Sequence, residues 1–402
     1  MADPIDAEDS TRITAGDLFD MANPQEKYKR LIEEEDGMVK AFDGFTVVFS
    51  REMCERVLRD PETFSSVVDM NLGNARPMIP LNVDPPKHSR YRKILDPLFA
   101  PRRMDEQQED ITRRVNELID TFVDRGECNF TEEVAEILPS SVFLGLMGFP
   151  QEELKTLLRL RDGIMRPFVL DPAAATDPTT AASVREATGR DVYAYFGAAL
   201  EERRAHPRED ILTHFVTTTI DGERLSQDEL LDICFLFLIA GLDTVSDALT
   251  CFFAFLATHT DHRRRLVDDP AVTGNAVEEL LRWESPVHTS PQRLVTTDTV
   301  LPNGCPVSAG SFVMASYGGA NIDPNEFSDP MDVDFDRPKN RHYAFGAGVH
   351  RCLGSHLARR ELRVTLEEWH RRIPEYRLKP GHEELEYPYG LRSVKDLMLT
   401  WS

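Results

Sequence analysis

The sequence is poor in basic charge, in paired cysteines and in long apolar runs. Its 402 residues carry 46 Lys and Arg against 69 Asp and Glu, a net charge of −23. A surface that negative repels phosphate backbones, which argues against a nucleic-acid partner. The six cysteines, Cys54, Cys128, Cys234, Cys251, Cys305 and Cys352, never fall at CxxC spacing, so no zinc site is indicated. Scattered through apolar stretches, they read as buried thiols rather than as a disulfide framework. The longest apolar run, Ile233 to Leu242, is about half the length of a membrane span. The start, Met1-Ala-Asp-Pro-Ile-Asp-Ala-Glu-Asp, is acidic and lacks an apolar h-region, so it does not read as a signal peptide. Together these absences predict a soluble, cytoplasmic protein with no membrane or nucleic-acid partner.

Internal repeats and low-complexity linkers are missing too, and the chain reads as one domain, 1–402, with 1–20 as a loose polar arm. Residues 38–50 are β-rich around Asp43-Gly44, which predicts a hairpin. Helices are expected over 51–60 and 88–99, separated by a long irregular loop at 61–86 that holds five prolines. Loops of that length inside a compact protein usually serve function. Helical periodicity dominates from 105 to 285, with breaks near Gly126, Gly148-Phe149-Pro150, 171–180 and His206-Pro207. Short strands are expected at 292–301 and 306–315, an ordered loop at 321–350, a last helix at 353–373 and short strands after it. The fold class is therefore mainly α with small β-sheets. Regular strand–helix alternation, which a doubly wound sheet needs, is absent.

Four constellations carry chemistry. The first is Phe345-Gly346-Ala347-Gly348-Val349-His350-Arg351-Cys352-Leu353-Gly354. Its glycines permit tight turns and close approach to a flat ligand. Cys352 is expected to open the last helix, where orphan N–H groups favour a thiolate. The second is one long buried helix, capped by Ser226 and Glu229 and continuing to Thr258, roughly 48 Å at ~1.5 Å per residue. In its middle Ala240-Gly241 makes room for a ligand, and Asp243-Thr244 places an acid and a hydroxyl beside it. Third, Glu279 and Arg282 share a helix face and form an ion pair. Fourth, His88 and Arg92 share another face, one turn apart. Alone, each has a plainer reading: a buried thiol, a helix kink, a solvated salt bridge, surface charge.

Together these motifs resemble the cytochrome P-450 superfamily along nearly the whole chain. The Cys352 loop matches F-G-x-G-x-[HR]-x-C-x-G, 240–244 match [AG]-G-x-[DE]-T, and 279–282 match E-x-x-R. Residues 352–381 are nearest the soluble bacterial, camphor-hydroxylating kind. The resemblance implies a triangular prism of about a dozen helices, with haem b between the long central helix and the Cys-ligand helix. It makes Cys352 the axial metal ligand, set in a cradle with Ala240, Phe345, Gly346 and Gly354. It gives the haem propionates to His88, Arg92, Arg293 and His350. Thr244 then hydrogen-bonds the oxygen being activated and Asp243 relays protons, while Glu279, Arg282 and Arg337 hold the core together.

The activity implied is hydroxylation of an apolar terpenoid, steroid or branched lipid by O2. The chain carries no flavin-type unit, so two electrons are expected from a separate protein, which the resemblance implies is a ferredoxin with an NAD(P)H-dependent reductase. That partner docks on a face bearing Arg90, Lys93, Arg102, Arg103, Arg351, Arg359 and Arg360. Residues 64–81 and 165–196 with Leu236, Ile239, Val287, Thr289 and Leu391 line the substrate pocket. Arg76, in the first loop, either holds a substrate carboxylate or carbonyl or points to solvent. A peroxide-driven or isomerising enzyme usually lacks the acid–threonine pair. A haem-based sensor or carrier would show ligand-induced spectra without product.

Overall fold

In the computed structural model, the described residues are 21–40, 45–220, 222–388 and 390–402, so the arm expected at 1–20 lies outside them. The N-terminal third runs α1 (Pro24–Glu34), β1 (Met38–Lys40), β2 (Phe45–Val48), α2 (Arg51–Arg59), β3 (Phe64–Ser65), α3 (Lys87–Leu95), α4 (Pro101–Asp105), α5 (Gln108–Asp120) and β4 (Glu127–Asn129). The helical middle follows as α6 (Ile137–Met147), α7 (Leu154–Met165), α8 (Pro167–Leu170), α9 (Pro178–Ala205) and α10 (Ile211–Thr217). After the ribbon β5 (Thr219–Ile220) and β6 (Glu223–Arg224) come α11 (Gln227–Leu242), α12 (Thr244–Thr258), α13 (Thr260–Asp268) and α14 (Thr273–Glu284). The last part holds β7 (Arg293–Val295), β8 (Thr299–Val300), β9 (Pro306–Val307), β10 (Phe312–Ala315), α15 (Tyr317–Asn321), α16 (Ser355–Arg372), β11 (Arg377–Leu378) and β12 (Met398–Thr400).

Local signals account for most of these limits. The Asp177 side chain accepts from the amides of Thr179 and Thr180 and Pro178 opens α9, which ends at Ala205 with His206, the residue before Pro207, as its cap. Ser226 and Glu229 form the reciprocal capping box that starts α11. The hairpin is present, with Met38 opposite Val48; its turn at Asp43-Gly44 lies outside the described residues. β2 continues a five-stranded sheet, in the order β1-β2-β10-β7-β3, beside the helices.

The central helix differs from the uninterrupted one expected. It breaks at Asp243 (φ −98°, ψ −40°), so α11 and α12 are separate helices. The Thr244 hydroxyl donates to the carbonyl of Ala240, 3.1 Å away, one turn back. Side-chain bonding of that kind competes with the helix ladder, and Gly241 offers little propensity to resist it. The stretch Gln227–Thr258 is long and apolar enough to span a membrane, yet 83% of its most apolar window is buried in the protein. α11 packs with α6, α7 and α9, and α12 with α14 and α16. Two cores flank the break, one around Trp369, Phe253 and Leu280, the other around Phe196, Phe235 and Leu238.

On α16, Glu361 is 2% exposed and its Oε2 has no hydrogen-bond partner among the described residues. Burial pushes its carboxyl up to about 8. The folded state therefore binds this proton more tightly than the unfolded chain, and stability falls as pH rises from the ordinary glutamate range through about 8. Glu361→Gln cannot ionise, so its stability relative to the parent should climb across that window and level off above it. Urea unfolding of both proteins at the two ends of the window checks this; an unchanged difference refutes it.

Candidate functional site

The loop before α16 is shaped by two left-handed glycines, Gly346 (φ +64°) and Gly348 (φ +68°). A Cβ on Gly348 would lie 2.1 Å from the Leu58 carbonyl, so only glycine lets the loop pass the end of α2. The Cys352 amide donates to the Phe345 carbonyl at 2.9 Å, closing the loop on itself. The Arg359 guanidinium lies 4.3 Å above the Phe345 ring.

Cys352 does not open the helix as expected: α16 begins at Ser355, with Gly354 in the capping position. Cys352 is exposed on its loop, yet desolvation by the fold packed around it pushes its thiol up; the Gly354 amide and the charges of Arg92, Arg351 and Arg359 pull the other way without prevailing. The helix end alone does not make a thiolate here. Metal binding deprotonates a coordinating thiol outright.

Above this loop the expected cations converge. His88 and Arg293 are 2% and 3% exposed. The rings of His88 and His350 are 4.3 Å apart, and His350 Nε2 is 2.8 Å from the Ser66 hydroxyl, which also accepts from Arg293. Arg92 donates to Asp96 at 2.6 Å and to the Arg351 carbonyl at 2.8 Å. His88 Nε2 has no hydrogen-bond partner among the described residues. Burial, then Arg92, pushes the His88 imidazole down to about 4; burial also lowers Arg293 and His350. Burial thus favours the neutral histidines, and keeping these basic groups charged without an anion beside them is costly. Their chemistry fits a ligand that brings two carboxylates, as haem does, with a sulfur donor below.

At the helix break, Ala240 is exposed although its neighbours Leu236 to Ile239 and Leu242 are buried. Asp243, 2% exposed, faces Arg161 at 3.3 Å and Arg166 at 3.1 Å, both from the α7 region. Arg161 also meets Asp162 at 2.7 Å, and Arg166 meets Glu136 at 3.6 Å. Burial raises the Asp243 carboxyl against the pull of both arginines. One turn on, Asp247 is 4% exposed and pushed up by burial and then by Asp243. The sequence reading missed Arg161, Arg166, Asp247 and Ser66, since nothing in spacing links them to the motifs.

The Glu279–Arg282 pair is not solvated: both residues are 0% exposed. Glu279 accepts from Arg282 at 2.7 and 2.8 Å, from Arg337 at 3.1 Å, from the Asp334 amide at 2.9 Å and from Asn340 at 2.8 Å. Arg282 also donates to the carbonyls of Asn321, Pro330 and Asp332. Burial would raise the Glu279 carboxyl, but these donors hold it below the usual range.

Of the pocket residues, Leu236 and Ile239 are each 9% exposed and share a core with Met78 and Ile79 of the first loop. Val287 packs against the core that holds Val295 and Tyr317, and Thr289 bridges to Ser316. Leu391 precedes Arg392, whose amide donates to the Pro286 carbonyl at 2.9 Å. Arg76 neither faces solvent freely nor stands free for a substrate: it pairs with Asp232 at 3.1 Å, because a buried carboxylate on α11 offers a partner the loop sequence does not reveal. On the basic face, Arg90 is taken by Glu229, Arg359 by Glu278 and Arg360 by Asp105, while Lys93, Arg102 and Arg351 are exposed.

A mainly α fold that presents a cysteine loop beside a cluster of basic residues, Arg293 and His88 buried among them, defines a class of haem-binding oxidoreductase. The cytochrome P450 family profile matches residues 18–384, and the chain belongs to that family. It is 36% identical over 351 residues to a probable cytochrome P450 127A1 of Sinorhizobium fredii, covering 86% of this chain and 81% of that one. It is 35% identical over 328 residues to a steroid C26-monooxygenase of Mycolicibacterium smegmatis, covering 80% and 78%. The crystal structure of a myxobacterial cytochrome P450, CYP267B1, in complex with myristic acid superposes with a TM-score of 0.86 at 29% identity, covering 97% and 100%. The protein is a P450 monooxygenase with haem b as cofactor.

Removing one partner of a buried, hydrogen-bonded ion pair strands the other charge, at a cost of ~3–5 kcal/mol. Glu279→Gln should lose stability of that order and shed haem. Thermal melting with haem content measured after gel filtration checks it; a variant as stable and as red as the parent refutes it.

Proposed function

We propose that this monooxygenase hydroxylates an uncharged steroid, terpenoid or branched-lipid skeleton in the cytoplasm. We also propose that its electrons come from a ferredoxin reduced by an NAD(P)H-dependent reductase. The balance is one C–H bond, one O2, two electrons and two protons to one alcohol and one water. Bound haem supplies the dioxygen chemistry. The chain supplies position, exclusion of water and protons.

In this reading Cys352 is the sulfur ligand, and His88, Arg92, Arg293 and His350 take the two carboxylates of the cofactor. Ala240, Phe345, Gly346 and Gly354 leave space for its plane. Asp243 takes a proton from the solvent side, where Arg161 and Arg166 hold it, and passes it toward the Thr244 hydroxyl. That hydroxyl turns from the Ala240 carbonyl to donate into the cleft. Glu279, Arg282 and Arg337 keep the cysteine loop in register. The exposed Lys93, Arg102 and Arg351 suit an acidic donor protein despite the overall charge of −23.

The observation that carries the reading is the acid–hydroxyl pair at a break in an otherwise buried apolar helix, beside an alanine left exposed. A carrier or a peroxide-driven enzyme has no need to bury an acid there. The steroid-hydroxylating relative and the apolar lining support the substrate class.

Two variants test this. Cys352→His should abolish the red-shifted Soret band of the reduced carbon monoxide complex; its survival would remove Cys352 as ligand. Thr244→Ala should keep haem and substrate binding yet divert reducing equivalents to hydrogen peroxide, raising peroxide per NAD(P)H by about tenfold. Equal coupling in mutant and parent would sink the proton-delivery role.

A further inference from the structure

We propose that Arg76 is a latch on the pocket rather than an anchor for substrate: with Asp232 and Tyr193 it straps residues 67–77 onto α9 and α11, sets how fast ligands pass, and favours uncharged ones. The inference rests on the reading of this cleft as the oxygenation pocket.

The strap is anchored firmly at both ends and weakly between. Ser66 is buried against Arg293 and His350, and Met78 and Ile79 are buried in the core with Leu236 and Ile239. No residue from Val67 to Pro77 is buried. Leu72 packs only part-buried against that core, so apolar burial contributes little to holding this segment, and segments of that kind open at low cost.

Polar ties and one close backbone approach take its place. Arg76 Nε reaches both oxygens of Asp232 at 3.1 Å, and a second nitrogen meets Asp228 at 3.3 Å. The guanidinium lies 5.1 Å from the centre of the Tyr193 ring. The Tyr193 hydroxyl accepts from the Ala75 amide at 3.1 Å and donates to Asp232 at 3.3 Å. Beside these, Gly73 meets α9 with almost no space: a Cβ on Gly189 would lie 2.0 Å from the Gly73 carbonyl oxygen, and one on Gly73 would lie 2.2 Å from that of Arg185. The strap is thus shaped to seat on α9.

Selectivity follows from charge. The Asp232 side chain is 5% exposed, and Leu236 of the pocket wall is one turn further along α11. A carboxylate ligand that recruited Arg76 would leave Asp232 buried without its cation, an unfavourable exchange. A neutral skeleton leaves the pair intact. Arg76 is itself one-third exposed, so salt weakens the pair without abolishing it.

The test uses purified haem protein and four variants: Arg76→Gln, Asp232→Asn, the milder Tyr193→Phe, and the double variant Arg76→Gln with Asp232→Asn. Hydrogen exchange of 67–77 is read in the resting state, without turnover. Stopped-flow spectra follow 1-phenylimidazole, which is neutral, and its para-carboxylate. Each single variant should speed exchange of 67–77, by about tenfold for the charged positions, with other segments unchanged. Entry and exit of the neutral probe should both accelerate, while its affinity moves less than about threefold. The double variant should behave like either charged single variant, since the two residues act as one unit. Unchanged exchange in every variant overturns the latch. So does a loss in Arg76→Gln confined to the carboxylate probe, which would make Arg76 an anion anchor. Because exchange is read before any chemistry, failure of the proton-delivery reading would leave this result standing, and the reverse holds.

Discussion

Everything near the cysteine loop depends on one buried ion pair. Glu279 and Arg282 sit on the last turns of α14 with no access to water, where an isolated charge would be unstable. The pair survives because its remaining donors and acceptors are used. Through Arg282 it fixes the carbonyl of Asn321, whose side-chain oxygen accepts from the Tyr343 amide at 2.6 Å; the Tyr343 carbonyl then accepts from Gly346. Next door, Glu278 binds His342 at 3.0 Å and the Arg359 guanidinium at 2.6 and 2.7 Å. Burial opposes ionisation of Glu278, but these two partners hold it down to about 2. Two adjacent carboxylates thus grip the cysteine loop from either end.

The molecule also separates charge on a small scale that its bulk composition hides. A chain with net charge −23 gathers basic groups around Ser66 and buried carboxylates around Asp243. Around Ser66 the imbalance suits a ligand that brings negative charge. At the helix break, Glu136, Asp162, Asp243 and Asp247 share Arg161 and Arg166, so protons are held where the helix opens. The same rule governs both: a buried charge without its partner waits for one.

Local chemistry was legible wherever it is carried by near neighbours. The capping box at Ser226, the stop before Pro207, the hairpin from Met38 to Val48 and the glycine turns before Cys352 each follow from a few adjacent residues. The helix break was half legible: Gly241 and Thr244 signal weakness, but periodicity continues across them, so the pattern alone predicts one helix. Cys352 misled in a similar way. Its position three residues before the helix looked like the helix start, and only desolvation by the surrounding fold decides that the thiol is raised.

By itself, then, the sequence determined the class of fold, the cysteine loop, the acid–hydroxyl pair and the candidate residues for holding a flat dianion. These are short-range patterns, written in consecutive or helix-spaced residues. Only the tertiary structure decided who faces whom: Arg161 and Arg166 on Asp243, Ser66 between Arg293 and His350, Asp232 on Arg76. Each of these contacts joins residues tens to hundreds of positions apart. Such pairs form because burial makes an unpartnered charge costly, and burial is a property of the folded chain rather than of any segment of it.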